Sequence, residues 1–245
     1  AEAGAMTPLS GIISAFLVMV ALLLLTKALF FLPQLVLACI VITGVMQFID
    51  FGELVYIVKT KKRDAVSFLA AFIGTLCLGV EQGIIIAIAI SIGFVLYRAS
   101  RPRHSILGRI PDTNQYRNIA HWKEAITVPG VLVMRFDADL FFANATYIQD
   151  IIAESVEKEK HPVYALVLDC NSMNQVDSTA PHALLKLAES LSPIRIFFAQ
   201  IKPEVLRVLK NGEIFNGELI NEDQMFVTIS EAVDFAVQQV KLEIQ

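Results

Sequence analysis

The chain has 245 residues, of which 55% are hydrophobic, and a net charge of −4 with a pI near 5.6. Its mean hydropathy of +0.59 is too high for an ordinary soluble domain, and its acidic balance offers no footing for nucleic-acid binding. The halves differ: up to Arg103 there are 8 Lys/Arg and 5 Asp/Glu, and from His104 onward 12 and 19. An apolar, slightly basic first part followed by an acidic, ordinary second part predicts a membrane region at 1–103 and a soluble domain at 104–245.

From Ala3 to Ile49 the only charged residue is Lys27. The stretches TPLSGIISAFLVMVALLLLT and ALFFLPQLVLACIVITGVMQFI each supply about the 20 residues that one helical span needs. Lys27 falls between them, where a lysine snorkels to the headgroups, and Pro33 belongs in the first turn of the second span. The start lacks both an initiator Met and the basic region of a signal peptide, so the expectation is a chain entered partway.

Two basic clusters follow, Lys59 to Arg63 (KTKKR) and Arg98 to Arg103 (RASRPR), and between them the apolar run Ala65 to Tyr97 holds Glu81 as its one charge. Positive residues mark cytoplasmic loops, so the run between the clusters should cross an even number of times. One helix of that length would reach roughly 50 Å, too long for a single span. Two short helices turning at GVEQG are predicted, giving about four spans in all. Glu81 is then an interfacial residue or an intramembrane coupling carboxylate, and its flanking glycines favour the turn.

In the second half ILGRIPDTNQYRNI reads as a linker, and VPGVLVMRFDADLFFAN as a strand pair or one long bent strand. ATYIQDIIAESVEKEK places Tyr147, Ile148, Ile151, Ile152 and Val156 on one helical face, capped by Asn144. VYALVLDC is a continuous apolar run that suits a strand covered on both faces. The next helix gathers Leu184, Leu185, Leu187, Ala188 and Leu191. IRIFFAQI is a further strand, PEVLRVLKNG a helix opened by Pro203 and closed by Gly212, and TISEAVDFAVQQVK a last helix capped by Thr228 or Ser230. Alternating strands and helices predict an α/β layer fold.

Cysteines and histidines carry little chemistry. Cys39, Cys77 and Cys170 read as buried reduced thiols, and His104, His121, His161 and His182 are scattered, so neither a disulfide framework nor a metal site is expected. No cofactor is implied. The Asn-Ala-Thr at Asn144 to Thr146 fits a glycosylation acceptor, but a cytoplasmic domain never meets the glycosylating enzyme.

The informative stretch is LVLDCNSMNQVDSTAPHALLKLAESL, where a strand ends in Asp169 and a helix opens on Asp177, Ser178 and Thr179. Three readings compete. All three residues are good N-cap types for free backbone N–H groups. Ser178 with His182, and Asp169 or Asp177 as orienter, sketches a nucleophilic serine, but no GxSxG elbow accompanies it, and catalysis is not expected. Ser178 also suits a regulatory phosphosite, because a phosphate at a helix N-terminus meets free amides and the positive dipole end.

A strand ending in Asp, a polar turn, Asp-Ser/Thr-Ser/Thr and a helix resembles the STAS domain of sulfate transporters and bacterial anti-sigma-factor antagonists. GVEQGIIIAIAISIGFVLYRASRPRHSILGRIPDTNQYRNI and VPGVLVMRFDADLFFANATY are similar to the join between the last membrane helix and STAS in the sulfate permease family, nearest to plant or algal sulfate transporters. Val128 stands where Ile is common.

That resemblance implies a transporter of about fourteen membrane helices in two inverted repeats of seven, divided into core and gate. The helices here correspond to the last four, mostly gate, and the substrate site lies upstream in the core. It also implies sulfate or a related anion as cargo, possible proton coupling, a homodimer through STAS and gate helices, and a kinase or other regulatory protein acting on Ser178. STAS would be cytoplasmic, and the membrane plasma, vacuolar or plastid. A second class remains open: a membrane-tethered STAS interaction module without transport.

Overall fold

The computed structural model describes residues 9–29, 33–46, 50–60, 62–215 and 219–244. The chain divides into two compact units, 1–87 and 88–245, with the division inside one helix.

The first unit is helical: α1 Leu9–Leu29, α2 Gln34–Met46, α3 Phe51–Thr60, α4 Lys62–Leu78 and the opening of α5 Val80–Ser100. Lys27 lies in the last turn of α1 rather than between two spans, while Pro33 sits just ahead of α2 and accepts the Val36 amide at 2.9 Å. α3 is an element the sequence reading did not anticipate. It leads into the first basic cluster, in which Lys61 lies outside the described residues.

The expected pair of helices between the basic clusters is present as α4 and α5. Its break is at Gly79 alone, whose φ of +96° an L side chain rarely adopts, so Glu81 and Gly83 belong to the first turn of α5. Gly83 is buried because α5 presses on α4 there. A Cβ on Gly83 would stand 2.6 Å from the Thr75 backbone.

Among the described residues α5 alone is long and apolar enough to span a bilayer; the apolar stretches Leu9–Leu24, Gln34–Gly44 and Asp64–Leu78 are shorter. Leu22, Leu23, Leu35, Phe72 and Leu76 are exposed, the pattern of helices whose solvent is hydrocarbon. Cys39 and Cys77 are exposed on these helices, not buried as expected; Cys170 is buried.

The second unit holds a six-stranded sheet of order β2-β1-β3-β4-β5-β6. β1 (His104–Arg109) pairs antiparallel with β2 (Tyr116–Asn118) and with β3 (Val131–Phe136). β3, β4 (Ala165–Asp169), β5 (Arg195–Ala199) and β6 (Met225–Phe226) run parallel. The stretch read as a linker is therefore a hairpin. Its turn is closed by the Ile110 amide on the Gln115 carbonyl, with Asp112 at φ +59°. The stretch after Phe136 leaves the strand for a loop, and an isolated parallel bridge joins its Leu140 to Val176 in the loop after β4.

Strand residues alternate between two cores. Leu132, Met134, Leu166, Leu168, Ile196 and Phe198 face α6 (Ala145–Lys158), α7 (Ala180–Leu191) and α8 (Pro203–Asn211). Val131, Val133, Val167 and Phe197 face α9 (Ile229–Ile244). This double burial explains the unbroken apolar runs of the parallel strands.

On α7, Leu184, Leu187, Ala188 and Leu191 are buried and Leu185 lies at the core edge; on α6, Ile148 and Ile152 are buried. The α9 cap is Thr228, whose hydroxyl accepts the Glu231 amide at 3.2 Å while Glu231 accepts the Thr228 amide at 3.3 Å. Ser230 instead donates to Asp234.

Candidate functional site

The Asp-Ser-Thr knot lies where the loops after β3 and β4 meet the start of α7. Thr179 occupies the N-cap position, but its side chain makes no capping bond. Asp177 carries the polar work. Its Oδ1 accepts the Thr179 amide at 3.0 Å and the Thr179 hydroxyl at 2.7 Å, and its Oδ2 accepts the Phe142 amide at 2.8 Å. Partial burial pulls the carboxyl up. The Thr179 hydroxyl and the amides of Phe142, Thr179 and Ala180 outweigh it and hold Asp177 below the usual carboxylate range.

Ser178 is exposed, and its hydroxyl has no hydrogen bond among the described residues. The expectation that Ser178 helps cap the helix is therefore corrected: the acid beside it satisfies the turn, leaving the serine free. His182 is exposed and makes no bond to Ser178, and Asp177 is committed to Thr179 and Phe142, so no nucleophile–base–acid relay is assembled.

Asp169 is not joined to the knot by any bond among the described residues. It is buried at the end of β4, accepts the Asn171 amide at 3.0 Å, and is pushed up by burial against the opposing pull of that amide and of Arg135. The neighbouring Cys170 thiol is pushed up to about 12, mainly by burial.

Two loop residues in the site have partners that the local sequence does not show. Asp139 accepts the amides of Asn174 at 2.7 Å and Gln175 at 3.0 Å, stitching the β3 loop to the β4 loop. Asn144 occupies the N-cap position of α6, as expected, but its side chain makes no capping bond. Fully buried, it accepts the Phe141 amide at 3.0 Å and donates to the carbonyls of Asp139 at 2.8 Å and Ala99 at 3.3 Å. Such a side chain is no glycan acceptor. Two adjacent loop residues thus tie the knot to α5: Phe142 is held by Asp177, and Phe141 by Asn144, which reaches Ala99 in the last turn of α5.

The STAS domain model matches residues 123–236, and the sulfate permease family model matches residues 1–71. The helical first part of the chain is thus similar to the sulfate permease family, and the second part to STAS domains. It is 35% identical over 242 residues to sulfate transporter 1.3 of Arabidopsis thaliana, an alignment covering 95% of this chain and 37% of that protein. It is 32% identical over 241 residues to high affinity sulfate transporter 2 of Stylosanthes hamata, covering 94% and 36% respectively. The chain thus spans little more than a third of the length of the curated relatives it matches. The fold is shared with the murine solute carrier 26 family member A9 anion transporter in its inward-facing state, at a TM-score of 0.79 and 23% identity, over 97% of this chain and 39% of that one. A membrane location accords with this family.

Proposed function

We propose that these residues form the gate-side helices and regulatory STAS domain of a transporter for sulfate or a related oxyanion, not an enzyme. The observation that carries this reading is the 35% identity to a plant sulfate transporter across nearly the whole chain, helices and STAS domain together. The substrate site, on this reading, is supplied by helices outside residues 1–245. That division is supported by the 37% of the relative's length that the chain spans. Membrane region and STAS domain divide at 1–103 and 104–245. Both basic clusters and the STAS domain face the cytoplasm, proton coupling drives uptake, and the protein works as a homodimer in the plasma membrane or an organellar membrane.

Ser178 is the regulatory position. Of the amides at the start of α7, those of Thr179 and Ala180 are engaged by Asp177, and Pro181 has none. A phosphate on Ser178 therefore competes with Asp177 for its donors instead of entering a vacant anion nest. Displacing Asp177 releases the Phe142 amide and loosens the loop that Asn144 ties to α5. The experiment is sulfate uptake in proteoliposomes: a longer transporter containing this chain should give saturable uptake and residues 1–245 alone none. Saturable uptake by 1–245 alone would refute the division of labour.

A further inference from the structure

Beyond the strand ends, the second unit has an open polar pocket of about 610 Å³ walled by Arg101, Arg103, Arg117 and Arg135, with Trp122 at its rim. Asp137 is the sole carboxylate on its wall and is already paired to Arg135 at 2.8 Å. Arg101 lies over the Tyr97 ring at 5.2 Å and Arg117 over Trp122 at 5.7 Å, while Arg103 has no ion pair among the described residues. Three guanidinium groups therefore gather without a carboxylate partner. Such a cluster raises a positive potential that an anion relieves.

Membrane-topology signalling accounts for Arg101 and Arg103, which follow α5 directly, but not for Arg117 on β2 and Arg135 on β3. Those two come to the same wall only because the sheet folds. Between the arginines the wall is polar, with Asn118 donating to Ser105 at 2.9 Å and two further donors in His104 and His121. The volume suits a small organic ligand and exceeds what one tetrahedral oxyanion fills. Trp122 is 51% exposed, beside exposed Ile119 and Ile126. An aromatic residue and basic residues just past a helix of spanning length are the combination that sits at a headgroup layer.

We propose that this pocket binds a polyphosphorylated inositol group, with guanidinium forks on its phosphate monoesters. The same chemistry is presented by a membrane phosphoinositide and by a soluble inositol phosphate.

Trp122 is the only tryptophan in the chain, so its fluorescence reports the pocket directly. The full 245-residue chain in neutral detergent is titrated with inositol trisphosphate. A saturable change is expected, weakened by salt and weakened about tenfold by Arg103→Gln or Arg117→Gln. Arg103→Lys should retain most of the affinity. Arg207→Gln, the same charge loss on α8, should change it less than about twofold, as an uninvolved surface charge does. Far-ultraviolet circular dichroism matching wild type shows that each variant is folded. Phosphatidylinositol bisphosphate doped into the micelle is the second arm. Binding about tenfold tighter than the soluble group assigns the lipid as ligand, and equal affinity assigns the soluble anion. No saturable response to either probe, inorganic sulfate matching the trisphosphate at equal concentration, or full affinity in Arg103→Gln would overturn the site.

Discussion

The Phe142 amide donates to the Asp177 carboxylate at 2.8 Å, tying the loop after β3 to the first turn of α7. Because that carboxylate also takes the amide and hydroxyl of Thr179, the knot depends on Asp177 and not on Ser178. Asp177→Ala should destabilise the second unit by about 1–2 kcal/mol, and Ser178→Ala by less than about 0.5. Thermal melts followed by Trp122 fluorescence check both. Equal losses would return the capping role to Ser178.

The pH dependence follows in sign. Asp177 is held below its ordinary value when folded, so its contribution is complete above the unfolded pKa and disappears as pH falls through the lower folded value. Asp169 is raised by burial, so its ionised form opposes folding, and that penalty is relieved as pH falls through the raised value. Asp177→Asn should flatten the loss of stability below about pH 4, and Asp169→Asn should remove a gain that begins above it. Denaturant midpoints across that range, with each variant, separate the two carboxylates.

Strands β3, β4 and β5 and helices α6 to α9 were legible because each carries a strong local pattern: an unbroken apolar run or an amphipathic period closed by Pro or Gly. β1 and β2 were not. They are short, interrupted by Pro111 and Asp112, and become strands only through partners in the sheet. The Asp-Ser-Thr composition marked the knot, but its division of labour rests on Phe142, 35 residues away. Asn144 looked like a helix cap for the same reason: its actual partners, Asp139 and Ala99, lie outside the helix it precedes. The arginine pocket was invisible because Arg117 and Arg135 reach it from separate strands.

Close backbone approach at two glycines should be intolerant of a methyl group. A Cβ on Gly212 would meet the Pro181 ring at 2.3 Å, where the end of α8 rests on the start of α7, and one on Gly83 would meet the Thr75 backbone. Gly212→Ala should cost about 1–3 kcal/mol. Proteolysis of the variant should become faster around α7 and α8. Unchanged melting would mean that the two helices can separate freely.

Lys59 and Arg101 flank the α4–α5 pair, and the proposed topology places both in the cytoplasm. In a longer transporter carrying this chain and otherwise free of reactive cysteines, Lys59→Cys and Arg101→Cys should both resist an impermeant thiol reagent applied to intact cells. Both should react after permeabilisation. Labelling of one but not the other from outside would give α4 and α5 an odd number of crossings.

The most direct measurement is sulfate flux through such a transporter at matched surface expression, comparing wild type, Ser178→Asp, Ser178→Ala and Asp177→Asn. If the knot controls transport through Asp177, Ser178→Asp and Asp177→Asn should change flux in the same direction, because one crowds the Asp177 carboxylate and the other neutralises it. Ser178→Ala, which touches no bond in the knot, should match unphosphorylated wild type. Equal flux in all four proteins would contradict a regulatory role for this turn and leave it a structural feature of the STAS fold.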